Sequence, residues 1–283
     1  MKTKFLLLGA FVSLLFFSCT TTDETVTDTT PVSKDDATLT AKIDATVEDV
    51  TAIAEDQFSE QKSNTAKSSI ARISILPECA TITTIVANNT WTRTIDFGTA
   101  GCTLRNGNVV KGKIIISGST DFAVSAYTIY YSFEGFYHNG NLVEGDKFVT
   151  LSFKSTVLQS EVHPVLDHNI DLTVTFPDGR KYDVDGTRTT EMTEGYDTLD
   201  DLNDNVFLVT GNATVTRRNG AVVTHTIIDP LRFEMGCDYA FPVSGKTTIT
   251  KNNTTATIDF GDGTCDKKVT VTIGNLIIDV TIN

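Results

Sequence analysis

From about residue 70 to the C-terminus the chain alternates apolar and polar side chains with a period of two, and short turn strings interrupt that alternation. Successive strand residues point to opposite faces, so the pattern describes half-buried β-strands. One turn signal recurs at 105–112 (RNGNVVKG), 138–145 (HNGNLVEG) and 218–225 (RNGAVVTH). Asn106-Gly107, Asn139-Gly140 and Asn219-Gly220 suit type I′ hairpins, in which both central residues take positive φ. Gly274-Asn275 suits a type II′ turn, and Pro177-Asp178-Gly179 marks a further reversal. Strands joined by such tight turns pair antiparallel. The expected fold is all-β: a large antiparallel sandwich or open barrel of about twelve strands, with a short N-terminal helix. Residues 70–283 read as a single domain. The acidic stretch 194–205 is its only candidate boundary, and it is short.

A second repeat marks both ends of that domain, within 76–119 and 233–283. TIDFGTAGC (94–102) returns as TIDFGDGTC (257–265), with Asp-Phe-Gly and Cys at the same spacing. Each copy is preceded by another cysteine. Four cysteines allow three connectivities, and equivalent units should carry equivalent crosslinks. That selects Cys79–Cys102 and Cys237–Cys265.

The N-terminus has a different grammar. Lys2 and Lys4 precede an apolar run, Phe5 to Phe17, too short to span a bilayer, and Ser18 then precedes Cys19. This is the anatomy of a secretory signal, residues 1–18, with a cysteine at the cleavage point to be acylated. Phe16 and Phe17 depart from the usual lipobox, so an ordinary secretory signal is the alternative. Residues 19–41 are rich in Thr and Asp and read as a flexible tether spanning about 25 Å as a coil. Between 42 and 63 the period changes: Ile43, Val47, Val50, Ala54 and Phe58 fall at helical spacing with Ile53 on the flank. This amphipathic helix is expected to pack against its own domain; binding a partner is the alternative.

Removal of 1–18 takes two lysines, leaving 21 basic against 36 acidic residues, or −15. Such a balance argues against nucleic acid and against electrostatic attachment to anionic lipid. Attachment to the membrane then rests on lipid at Cys19, which needs more than one acyl chain to be stable. In an exported protein the other cysteines stay oxidised.

The signal, the Thr/Asp tether, the short helix, a cysteine before a TIT-type strand, the IDFGxxxC strings, the NG hairpins and FLVTGNATVTRRNG (207–220) together resemble a group of β-rich cell-envelope lipoproteins of Bacteroidota. The similarity covers most of the chain. It implies lipid anchorage to the outer membrane and tolerance of a relaxed lipobox. It transfers no active-site residue.

Candidate chemistry is sparse. Asp197, Asp200, Asp201 and Asp204 crowd one turn with Asn203 and Asn205 and form a loose calcium candidate. Val206 and Asn212 occupy positions where an EF-hand needs Gly and Glu. Asp259, Asp262 and Asp266 form a second acidic group. The first repeat keeps only Asp96, so Asp96 and Asp259 are expected to cap turn amides. Glu161 and His163 share one strand face while His168 falls on the other, and His138 and His225 read as surface residues. No nucleophile elbow, Cys–His pair or zinc helix is present. Tyr127, Tyr131 and Phe133 share one face, Tyr130 and Phe136 the other, one of them core. Thr29 and Thr198 lie in short strings that resemble O-glycosylation signals. The expected role is a non-enzymatic binding or structural surface module with a glycan or protein partner. A polysaccharide hydrolase and a lipid carrier are the alternatives.

Overall fold

The structure, a computed structural model, describes residues 30–65, 74–105, 107–198, 201, 203–237, 241–266 and 268–281. The signal sequence, Cys19, the tether up to Thr29, and Asp200 lie outside the described residues.

The helix, α1, spans Lys34–Thr65 and so begins at 34 rather than 42. The cause is a cap at the level of the sequence. The Ser33 hydroxyl donates to Asp36 Oδ2 (2.7 Å) and accepts from the Asp36 amide (3.2 Å), while the Ser33 amide donates to Asp36 Oδ2 (2.8 Å). This reciprocal capping box satisfies amides that a helix start otherwise leaves orphaned. Residues 34–41, expected in the tether, are its first turns.

Fourteen strands follow: β1 (Thr81–Ala87), β2 (Thr90–Asp96), β3 (Cys102–Thr103), β4 (Val109–Ser119), β5 (Ala126–His138), β6 (Asn141–Lys154), β7 (His163–Thr175), β8 (Lys181–Glu194), β9 (Val206–Arg217), β10 (Val222–Glu234), β11 (Ser244–Lys251), β12 (Thr254–Asp262), β13 (Lys268–Ile273) and β14 (Leu276–Thr281). All but β3 follow one antiparallel path in sequence order, with β3 paired to β4. The sheet does not close into a barrel: β1 and β14 are its two ends.

One face of this sheet wraps α1. Ile43, Val47, Val50, Ile53, Ala54 and Phe58 are buried in one cluster with Trp91, Ile95, Ile114, Ile116, Ile129, Tyr131, Val143 and Val149. The helical stripe therefore packs against its own domain. Strands β7 and β8 are two-sided. His168, Ile170, Leu172 and Val174 are buried on the even face, whereas His163 and Val165 are buried on the odd face at the strand's start. Loops bring a small second core over that end: Thr156 donates to the Glu191 carboxylate, and Gln159 Nε2 donates to Thr193 O (3.2 Å).

Close strand contact sets the curl. Gly112 has φ 82°, and a Cβ there would stand 1.9 Å from Gly135 O, so only glycine allows β4 and β5 to meet. A register shift between Ser132 and Phe136 accompanies it. That bulge carries Phe136 into the core with Tyr127 and Tyr131, instead of leaving it on the face of Tyr130 as strict alternation predicts.

The antiparallel path sorts the connections by end. The hairpins at 139–140, 177–179, 219–220, 252–253 and 274–275 share one end, and the longer loops 120–125, 155–162 and 195–205 share the other. The N-terminal end of α1 sits at the hairpin end. Lys251 Nζ donates to Thr30 Oγ1 (2.9 Å) and Asn252 Nδ2 to Thr30 O (2.9 Å).

Candidate ligand-binding face

The face turned away from α1 carries the most coherent arrangement of exposed chemistry. Register places Tyr130 opposite Phe148, Phe148 opposite Asn169, Asn169 opposite Thr187 and Thr187 opposite Asn212. These five residues make one row across β5–β9, spanning about 19 Å at the usual strand spacing. Tyr130 is 57 % exposed and Phe148 39 %, with ring centroids 6.1 Å apart. A parallel row two residues along contains Ser132, Asp146, Asp171, Asp185 and Thr214. Over β7–β9 the surface forms an open depression of about 410 Å³, lined by Asn169, Ile170, Asp171, Asp185, Gly186, Thr187 and Asn212.

Each part has its own chemistry. The aromatic pair offers flat apolar area that burial elsewhere would have stabilised, since Tyr127, Tyr131 and Phe136 are all sealed in the core. Asn and Thr donate and accept hydrogen bonds, and the aspartates accept. Three aspartates on adjacent strands repel one another, and like charges directly opposite are destabilising. Such a row is tolerated here because its members are exposed.

The cysteine pairs stand where the repeat placed them. Cys79 and Cys102 have Cα atoms 6.0 Å apart, Cys237 and Cys265 5.5 Å, and both pairs are bonded. The repeated aspartates cap turns, as expected: Gly98 N donates to Asp96 Oδ1 (2.8 Å) and Gly261 N to Asp259 Oδ1 (3.1 Å).

The acidic turn is internally bonded. The Thr198 hydroxyl donates to Asp204 Oδ2, Asn203 N donates to Asp201 Oδ1 (3.0 Å), and Asp197 is exposed. Among the described residues no three His, Cys, Asp or Glu side chains are grouped to hold a metal ion. Thr198 is exposed.

All four histidines are buried, which corrects the surface reading of His138 and His225. For His138 the reason is α1, whose polar residues meet the sheet; His225 is buried on the same strand face as Val223. His138 Nε2 lies 2.7 Å from Asp49 Oδ2, and its Nδ1 lies 3.0 Å from Thr46 Oγ1. His163 lies between Glu161 O (2.8 Å) and Glu191 Oε2 (2.9 Å), holding the second core. His168 makes no hydrogen bond among the described residues, its nearest carboxylate being Glu55 at 3.9 Å. Burial, then the charges of Lys147 and Arg188, hold its ring well below the ordinary histidine range. These histidines serve packing rather than a shared site.

Among the described residues, α1 side chains pack against the inner sheet face, where lipid carriage would require a continuous apolar cavity. Phe148, Asn169 and Thr187 were not singled out by the sequence, and Asn212 only as a position where an EF-hand needs Glu. Their exposed parity was readable, but their alignment needs the register of five strands. In comparison with known proteins, the chain matches no family model, no curated protein and no solved structure.

Proposed function

We propose that this chain is a cell-envelope lipoprotein, held to the outer membrane by lipid on Cys19, whose outer sheet face binds glycan without catalysing a reaction. The observation that carries the reading is the row Tyr130–Phe148–Asn169–Thr187–Asn212. It sets an aromatic platform beside amide, hydroxyl and carboxylate groups. Sugars present the complementary surface: apolar ring faces for the aromatics and hydroxyls for the polar side chains. The carboxylates Asp171 and Asp185 project side by side from one surface. A hydrolytic pair flanks the scissile bond instead, so their placement favours binding over cleavage. With Thr30 at the hairpin end, a tether running from Cys19 would direct the long loops away from the membrane.

The test is a thermal-shift series on the chain from residue 20 onward against a glycan panel. A ligand at 100 times its Kd adds about 2.7 kcal/mol, or roughly 5–10 °C for a domain of this size. Y130A/F148A should abolish the shift while leaving the unliganded Tm within about 2 °C, because both rings are exposed. A panel without any shift would sink the glycan reading and leave a structural or protein-partner role.

A further inference from the structure

We propose that β1 is the seat of a two-fold symmetric dimer, in which the edge strand of one copy pairs antiparallel with the same strand of a second copy. All seven residues of β1 are exposed, on both faces, with Ile85 at 63 % and Val86 at 61 %. Its inner edge is bonded to β2, and no other strand pairs with it among the described residues. An exposed apolar edge is a template for another strand, and natural edges are normally blunted with charge, proline or a bulge. The strand TITTIVA has neither charge nor proline, and its register to β2 is unbroken.

The occupant follows from charge and symmetry. A two-fold contact sets each residue against its own counterpart's surface, so any net charge there repels. In a chain of formal charge −13 an uncharged strand of seven residues is the rare surface that meets itself without that cost. Antiparallel self-pairing centred on Thr84 sets Ile82 against Val86 of the second copy and Thr83 against Ile85. Each is an apolar or β-branched pair of the kind that stabilises a sheet.

The other free end suits this poorly. In β14, self-pairing brings Asp279 opposite Ile278, and Asp279 is exposed. Joining β14 of one copy to β1 of the next fails on direction. The antiparallel path runs both strands the same way, so side-by-side stacking would pair them parallel, the less stable ladder. Seven-residue pairing buries little area, placing the dimer at the weak end of protein association.

The experiment uses the full chain in membranes of the producing cell. Thr84→Cys lies on the proposed axis and should crosslink under mild oxidant to a band of twice the mass on a non-reducing gel, whereas Asp279→Cys should not. Arg93, which donates to the Thr84 hydroxyl, keeps Gln57 and Glu60, so the fold should survive. For the detergent-solubilised chain, light scattering should give a protein mass that rises with concentration towards the dimer. Ile85→Lys, facing solvent, should weaken the association about tenfold or more. A mass that stays monomeric together with uncrosslinked Thr84→Cys would overturn the proposal. Crosslinking through Asp279→Cys alone would overturn it too, by moving the contact to the opposite edge.

Discussion

Asp36, in the first turn of α1, and Lys251, at the end of β11, form an ion pair at 3.6 Å with both side chains almost wholly buried. The Arg217 guanidinium reaches the other oxygen of the same carboxylate. One acid thus fastens the start of the helix to two strands that are far from it in sequence. Burial raises the Asp36 pKa, but the Ser33 hydrogen bonds and the two cations outweigh it, and the net direction is down. A carboxylate whose folded pKa is depressed stabilises the fold above its unfolded value and loses that contribution as pH falls through the folded one. Wild-type stability should therefore fall on acidification below about pH 4. Asp36→Asn should cost about 3–5 kcal/mol at pH 7, because it removes the carboxylate that offsets the charges of Lys251 and Arg217 at this buried end of the helix. Its stability profile should also be flatter on the acid side. Equilibrium denaturation from pH 2.5 to 7 measures both effects.

His168 works in the opposite sense. Buried opposite Arg188 and near Lys147, it is held neutral, so only the unfolded chain takes up its proton near neutrality. Stability is therefore present above about pH 6.5 and is lost as pH falls below that value, by up to about 1.4 kcal/mol per unit. His168→Met keeps the bulk and removes the titration. The variant should be more stable than wild type at pH 5, with the difference shrinking towards pH 8. Equal pH slopes for the two proteins would contradict the assignment.

How much of this was legible beforehand depended on whether the cause was local. Asn139 and Gly140 have φ of 49° and 82°, as a type I′ turn requires. At Asn219-Gly220 only the glycine is positive, and Arg217 N bonds to Ala221 O, so the loop is longer than the dipeptide implied. Asn88-Asn89 and Asn252-Asn253 are turns of positive φ that a search for Gly overlooks, although Asn tolerates that region. The Ser33/Asp36 cap is written in the sequence, but the Thr- and Asp-rich composition around it, with few large apolar side chains, reads as a tether. The histidine burials and the Tyr130–Asn212 row were not local. They depend on which strand face α1 covers and on the register of each hairpin, and a bulge such as that near Gly135 resets parity without an obvious sequence mark.

Gly186 tests that register. It lies on β8 between Ile170 and Ala213, and a Cβ there would stand 2.5 Å from Asn212 O. Backbone cannot retreat as a flexible side chain can, so Gly186→Ala must part β8 from β9. A cost of about 1–3 kcal/mol is expected, as for other overpacked positions. Because Asn212 and Thr187 line the outer depression, the proposed glycan binding should weaken together with stability. Hydrogen exchange should locate the loosening at 185–189 and 210–214, and unchanged protection there would refute the steric argument.

The two disulfides should differ in reactivity more than in strength. Their sequence separations, 23 and 28, give about 3.5 kcal/mol each in the chain-entropy account. Each has one exposed cysteine, Cys79 in the first and Cys265 in the second, so the other partner separates them: Cys102 is buried and Cys237 half-buried. The Cys102 sulfur lies 3.5 Å from Phe97 O, and Cys265 stands at the β12–β13 loop. Attack at Cys79 must expel Cys102 as a thiolate into a buried apolar site, which disfavours it, whereas attack at Cys265 expels the more open Cys237. Limited reduction of the native protein followed by alkylation should label Cys237 and Cys265 before Cys102. The singly reduced species should melt about 7–14 °C lower, taking 2–4 °C per kcal/mol. Peptide mapping gives the order, and labelling of Cys102 first would mean that the first repeat opens more readily than its packing against Phe97 and Val110 implies.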